Sequence, residues 1–282
     1  MRITRRGFLL ASLAGPAAGL GYGGLVESGW LELTRRRVPV HGRGLRRDFT
    51  ILHLSDLHAG SDTPFAIIER AIAMGLDQRP DAAFLTGDYI TRGRLPDFDR
   101  YGEILRALPA TTPTFASFGN HDGGRWSAQE GGVDNLTPIR GMLEGAGIVC
   151  LRNEAVATVI AGQRINIVGI GDLWAGDADP VRAFGAMEED KTFTISLSHN
   201  PDTTEMLGAY LWDLQLSGHT HGGQVVVPMV DYPPFVPVED RRFIKGLHTW
   251  KGRHVFITRG VGSLFRIRIA CRPEVSILTL EA

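Results

Sequence analysis

From Phe49 onward, short apolar runs alternate with stretches in which apolar residues recur every three or four positions. Thr63-Pro64 reads as a cap followed by proline at a first helical position, and Phe65, Ile68, Ile72 and Leu76 then follow at helical spacing. A second helix is predicted with Phe98, Tyr101, Leu105 and Leu108 on one face. A third opens at Thr137-Pro138, turns Ile139, Met142 and Ala146 inward and stops at Gly147. Between them the runs 51–54, 82–85, 114–117 and 148–151 read as buried strands. Beyond Val156 the texture is mostly strand: 156–160 and 165–170 joined around Ala161-Gly162-Gln163, then 224–227, 254–258 and 275–280. That is enough strand for a second sheet, so the expectation is an α/β fold in which two sheets pack face to face as a sandwich flanked by helices.

Composition adds that 282 residues with 43% hydrophobic and 22% charged side chains fill a large core, and it excludes disorder and collagen-like repetition. The near-zero net charge hides an asymmetry. Residues 1–47 hold nine Arg against Glu27 and Glu32, a balance of +7, whereas the other 235 residues hold 21 basic and 29 acidic side chains, a balance of −8. An acidic body argues against a non-specific nucleic-acid binder. Cys150 and Cys271 lie far apart in apolar stretches and match no zinc spacing, so buried free thiols are expected, with a bridge permitted by export.

The N-terminal charge belongs to an address. Thr4-Arg5-Arg6-Gly7-Phe8-Leu9-Leu10 resembles a twin-arginine export signal, and residues 7–26 then carry no charge. At 1.5 Å per residue that run just spans a bilayer core of about 30 Å, so residues 1–28 are expected to be a signal or a membrane anchor. The basic stretch 29–47 is expected to be a solvated linker, with a patch resting on anionic lipid as the alternative, and residues 48–282 the folded domain. The expected location is the periplasm or the outer face of the cytoplasmic membrane.

Five of the apolar runs end in polar clusters: Asp56-Leu57-His58, Gly87-Asp88, Gly119-Asn120-His121-Asp122, His199-Asn200 and Gly218-His219-Thr220-His221. Strand carboxyl ends are where sites assemble in open α/β sheets, so the five can converge on one edge. Asp56, His58, Asp88, Asn120, His199, His219 and His221 offer three oxygen and four nitrogen donors, enough for two metals if one carboxylate bridges. Such a set without thiolate suits Mn, Fe or Zn better than Ca or Mg. Glycines at 87, 119 and 218 would let the backbone turn tightly at each strand end. His53, inside a strand run, is expected to be a core residue, His41, His248 and His254 surface residues, and Trp126 and Trp174 packing residues in loops near the site.

In order and in full, this set resembles the motifs of the calcineurin-like metallophosphoesterases over residues 49 to about 225. The resemblance implies the metallo-dependent phosphatase fold and two divalent ions, manganese first. Asp56, His58 and His221 would hold one ion and Asn120, His199 and His219 the other, with Asp88 shared. It implies that metal-activated hydroxide attacks a phosphate ester, that His121 contacts the phosphate and protonates the leaving oxygen, and that Asp122 either orients His121 or acts structurally. A scaffold without turnover would be expected to have lost ligands or His121, and all are present.

Gly218-His219-Thr220-His221-Gly222-Gly223-Gln224, the loop 228–238, Arg259-Gly260-Val261-Gly262 and Cys271-Arg272-Pro273-Glu274 further resemble an exported or membrane-associated branch, which includes phosphodiesterases and UDP-2,3-diacylglucosamine hydrolases. That branch implies a phosphodiester or pyrophosphate substrate, lipid-linked or otherwise of the envelope. Residues 87–93 are similar to the phosphoprotein-phosphatase form of the second motif, but Thr91 stands where those enzymes have aspartate, which weakens a phosphomonoesterase or protein-phosphatase alternative. Arg92 is a candidate phosphate contact or a solvated loop residue.

Overall fold

Six strands form each of two sheets in the computed structural model, which describes residues 21–282 apart from 25, 61, 92–94, 186 and 188–191. Most of the expected export segment, and Arg92, lie outside the described residues. The first sheet runs β1 (Glu32–Pro39), β12 (Glu274–Glu281), β2 (Phe49–Leu54), β3 (Ala82–Thr86), β4 (Thr114–Ser117) and β5 (Val149–Cys150). The second runs β10 (Gly246–Trp250), β11 (Arg253–Ile257), β9 (Leu214–Ser217), β8 (Phe193–Leu197), β7 (Gln163–Gly169) and β6 (Glu154–Ile160). From β2 to β5, and from β7 through β8 and β9 to β11, neighbours are parallel, so their carboxyl ends point the same way within each sheet.

Side-chain alternation explains the layering. In β2, Phe49 and Ile51 pack into the space between the sheets against Ile165, Phe193 and Leu216, whereas Leu52 and Leu54 face the helices. In β12, Leu278 and Leu280 join the inner layer while Val275 and Ile277 face outward. Helices α1 (Phe65–Leu76), α2 (Phe98–Leu105) and α4 (Thr137–Ala146) cover the first sheet, and their buried Ile68, Ile72, Tyr101, Leu105, Ile139 and Met142 are the predicted inward positions. Gly147 ends α4 in the left-handed conformation, as its type predicts. The short helices α3 (Arg125–Gln129) and α5 (Pro180–Gly185) were not apparent from the sequence, and α5 packs on the outer face of the second sheet.

Three expectations change. Within the stretch 29–47, where a solvated linker is expected, β1 pairs in parallel with β12 over eight residues. Its Thr34 and Val38 are buried while Arg35, Arg36 and Arg37 stay exposed, so the arginines mark the open face of an edge strand. Residues 224–227 form only isolated bridges, Val225 with Ile269 and Val227 with Tyr232, because Gly222, Gly223 and Gln224 all take positive φ. His254 is buried, with Nε2 at 2.9 Å from the Pro39 carbonyl oxygen, rather than on the surface. Both cysteines are buried and free, as their apolar surroundings predict. Among the described residues no helix is long and apolar enough to cross a membrane.

Candidate metal centre

All five polar clusters meet at one edge of the sandwich. Asp56, His58 and His221 bring ligand atoms within 4.8 Å of one another, as do Asp88, His199 and His219. Asp88 lies between the groups, with Oδ2 at 3.1 Å from His199 Nε2 and 3.6 Å from His58 Nε2. Asp56 Oδ1 is 3.4 Å from His221 Nε2. These residues are buried, so the cluster is shielded from water except at its mouth.

Outer contacts fix which nitrogen points inward. His58 Nδ1 lies at 3.1 Å from the Ile90 carbonyl oxygen, His199 Nδ1 at 2.6 Å from that of Thr86 and His219 Nε2 at 3.0 Å from that of Pro237. A carbonyl only accepts, so each of these nitrogens carries a proton, and in a neutral ring the opposite nitrogen turns a lone pair inward. His58 Nε2 then faces His221 Nε2 at 3.1 Å, and His219 Nδ1 faces His199 Nε2 at 3.3 Å. Lone pairs packed this closely repel unless a proton or cation lies between them. The Asn120 side-chain oxygen is buried with no hydrogen-bond partner among the described residues, a gap in its bonding that a metal ion fits. Burial holds His58 and His219 down to about 3 and pushes His221 well below the ordinary imidazole value, so these three are neutral, the form that ligates. Burial also opposes a charge on His199, but the neighbouring Asp88 carboxylate outweighs it and raises the ring above the ordinary imidazole value, so a cation bound at Nε2 would take the place of that proton.

The donors stand on an unusual backbone. Asp56, His58, Asp88, His219 and His221 all have positive φ, between 44° and 68°. Such conformations cost on the order of 1–3 kcal/mol each and persist only where surrounding contacts impose them. One imposing group is Asp122: its Oδ2 accepts from Asp88 N and Gly119 N, both at 2.8 Å, and its Oδ1 from Tyr89 N at 2.7 Å. That carboxylate ties the second and third motif loops together. Gly87 takes φ +88°, the tight turn expected of it. Gly119 and Gly218 serve close approach instead: a Cβ there would sit 2.3 Å from Asp88 Oδ1 and from Asp56 Oδ2, respectively.

His121 borders the cluster. Its ring is 5.0 Å from that of His58, its backbone N–H donates to Asp88 Oδ1 at 2.9 Å, and at 9% exposed it is the most accessible imidazole of the set. Trp126 stands edge-on to it at 4.8 Å, and Trp174 stands edge-on to His219 at 4.4 Å. The two tryptophans, in loops expected near the site, border the centre as well as pack, with their rings 5.8 Å apart. His53 is the core residue it was expected to be, fully buried with Nε2 at 2.9 Å from Thr86 Oγ1. His41 and His248 lie away from the cluster, their ring nitrogens against the carbonyls of Ala282 and Lys245.

Residues 49–223 match the family model of the calcineurin-like phosphoesterases. The chain belongs to that family. It is 41% identical over 280 residues to a protein of Escherichia coli (strain K12) named phosphodiesterase YaeI, spanning 99% of each chain. A UDP-2,3-diacylglucosamine pyrophosphatase, LpxG of Chlamydia muridarum, is 27% identical over 321 residues, covering 96% of this chain and 95% of its own. Among solved structures, a 5'-nucleotidase precursor from Thermus thermophilus matches with a TM-score of 0.51 at 11% identity, over 83% of this chain and 54% of that one. This is a likeness of fold, and the chain spans about half the length of that structure.

In this metallophosphoesterase the sequence reading passed over Arg268. Its guanidinium is fully buried beneath the centre and donates to the carbonyls of His221 at 2.9 Å, Arg259 at 2.8 Å and Gly262. Alternation in Phe265-Arg266-Ile267-Arg268-Ile269 was the only signal, and an inward arginine reads like an outward one. The Arg259-Gly260-Val261-Gly262 motif acquires a physical role. Val261 N donates to the Ser55 carbonyl and Gly262 N to that of Asp56, so this segment clamps the strand end that carries Asp56.

Proposed function

We propose that this metallophosphoesterase hydrolyses a phosphodiester or pyrophosphate bond outside the cytosol, on a membrane glycolipid or other envelope substrate. The carrying observation is the geometry around Asp88: one carboxylate between two ligand groups, with the accessible His121 beside it. Asp56, His58 and His221 would hold one divalent ion and Asn120, His199 and His219 the second, with Asp88 touching both. Nitrogen and oxygen donors without thiolate favour manganese, with iron or zinc the alternatives. Two such ions polarise the phosphoryl group and make water nucleophilic at neutral pH.

The protein's own side chains supply the rest. His121 meets the phosphate from the open side and gives a proton to the departing oxygen. Trp126 and Trp174 wall that side, limit water and fix the imidazole planes. Asp122 keeps the loops bearing Asp88 and Asn120 in register. Three features support a diester or pyrophosphate over a monoester: the names borne by YaeI and LpxG, the threonine at 91, and the apolar loop beside the mouth. The twin-arginine-like residues 4–10 support export.

The test is a comparison of rates by the manganese-loaded protein on an aryl phosphodiester, a nucleotide-sugar pyrophosphate and an aryl phosphomonoester. Turnover of either of the first two, abolished by His121→Ala with metal content retained, is expected. Faster turnover of the monoester would move the assignment to a phosphomonoesterase, and full activity of His121→Ala would remove the proposed acid.

A further inference from the structure

The loop after the fifth motif is built outward. Met229 is 96% exposed and Phe235 79%, and Val230 is exposed between them. Phe265, on a neighbouring loop, is 63% exposed. An apolar side chain left in water gives up roughly 1.5–3 kcal/mol of available burial, so several large ones on adjoining loops mark a surface that something covers.

The two loops are joined at their bases. Gln224 exchanges hydrogen bonds with the backbone of Leu264, accepting from its N–H at 2.5 Å and donating to its carbonyl at 3.2 Å, and Val226 N donates to the Ile269 carbonyl at 2.9 Å. The first loop also returns to the metal centre, where the Pro237 carbonyl, two residues beyond Phe235, lies against His219.

We infer that this surface docks on a lipid bilayer with the mouth of the metal centre turned toward the headgroups. The N-terminal segment converges on the same place: Arg268 N donates to the Gly23 carbonyl at 3.2 Å, and Cys271 N donates to Glu27 Oε1 at 2.7 Å. In sequence, Gly23 lies in the uncharged run 7–26 and Glu27 directly follows it. Two pairs are of the kind that settle at headgroup level: Arg241 lies over Tyr232, in the first loop, at 5.1 Å, and Arg272 over Trp30, in the N-terminal segment, at 4.3 Å. These cations sit on a body that is otherwise acidic, which fits an anionic lipid face.

For substrate delivery the inference rests on the proposed envelope reading, since a phosphate at headgroup depth would reach His121 without leaving the membrane surface. Docking itself is tested without turnover. The native cysteines are buried, so Met229→Cys and Phe235→Cys in the full-length chain each accept an environment-sensitive fluorophore. Val159→Cys and Val181→Cys, exposed positions on β6 and α5, serve as controls.

In vesicles of phosphatidylethanolamine and phosphatidylglycerol carrying spin-labelled lipid, probes at 229 and 235 should shift to the blue and be quenched several-fold more than the controls. Quenching at 229 and 235 no greater than at 159 and 181 overturns the inference. So does a blue shift in lipid-free protein that grows with concentration, which would make a second copy of the chain the occupant. A chain that docks but cleaves no phosphate ester would defeat the functional reading alone.

Discussion

The Arg268 guanidinium donates to the backbone carbonyl of His221 and also lies 3.3 Å from its Nδ1, so one buried cation supports a metal-site imidazole from below. Its other donors hold the carbonyls of Arg259 and Gly262, on the segment that clamps Asp56. A lysine carries its three donors on a single nitrogen and lacks the planar fork that spans these separated carbonyls. Arg268→Gln and Arg268→Lys should therefore each cost roughly 3–5 kcal/mol of unfolding free energy. Urea denaturation measures it, and a loss below about 1 kcal/mol would show the carbonyls finding other partners.

Asn120 should govern the second ion only. Asn120→Ala removes the orphaned oxygen, and the affinity of one ion should fall by at least the roughly 10–100-fold that losing a supporting partner costs. Metal analysis after dialysis should show one ion where the unmodified protein keeps two. Retention of both would exclude the amide as a ligand. Asn120→Asp, which keeps an oxygen there, should hold both.

Trp126 limits the freedom of His121 through an edge-on contact. Such pairs are worth about 1 kcal/mol, so Trp126→Ala should lower kcat roughly fivefold. Thermal stability and bound metal should stay near those of the parent. A change in KM alone would place the tryptophan in substrate binding rather than imidazole placement.

Acid sensitivity should come in part from Glu274. Burial pushes its carboxyl up, but the Arg259 guanidinium at 2.9 Å and hydrogen bonds from Thr34 and the Arg259 backbone outweigh burial and hold it below its ordinary value of 4.5. A folded value below the unfolded one gives stability that is fully present above pH 4.5 and is lost as pH falls below it. Glu274→Gln should lose roughly 2–4 kcal/mol at neutral pH, because among the described residues Arg259 keeps only Glu32 as an acidic partner, and the gap from the parent should narrow below pH 4.5. Parallel acid limbs for the two proteins would refute the assignment.

The runs that end in motifs were readable because each is a short apolar strand capped by a polar cluster, and Thr114–Ser117 appears with the expected bounds. Convergence of Asp56, His58, Asp88, His199, His219 and His221 was readable for the same reason: parallel strands deliver their carboxyl ends to one edge. What escaped depends on facing rather than on residue type. Arg35, Arg36 and Arg37 read as solvated, which is true of their side chains, while the backbone beneath them is paired. Arg268 points inward where Arg266 does not, and nothing local separates them. Trp126 and Trp174 meet each other across 48 residues of chain, a distance along which no periodicity carries information.

The left-handed backbone of Asp56, His58, Asp88, His219 and His221 also bears on redesign. Attempts to change metal preference usually exchange ligands for glutamate, glutamine or cysteine and judge the result by coordination chemistry. Here such an exchange meets a conformational filter first. Asp, Asn and His visit positive φ far more readily than longer or branched residues. At these five positions, aspartate, asparagine, histidine and glycine form nearly the whole usable alphabet, so selectivity is more readily altered through the partners of the outer nitrogens or through Asn120, which is not among the positive-φ residues.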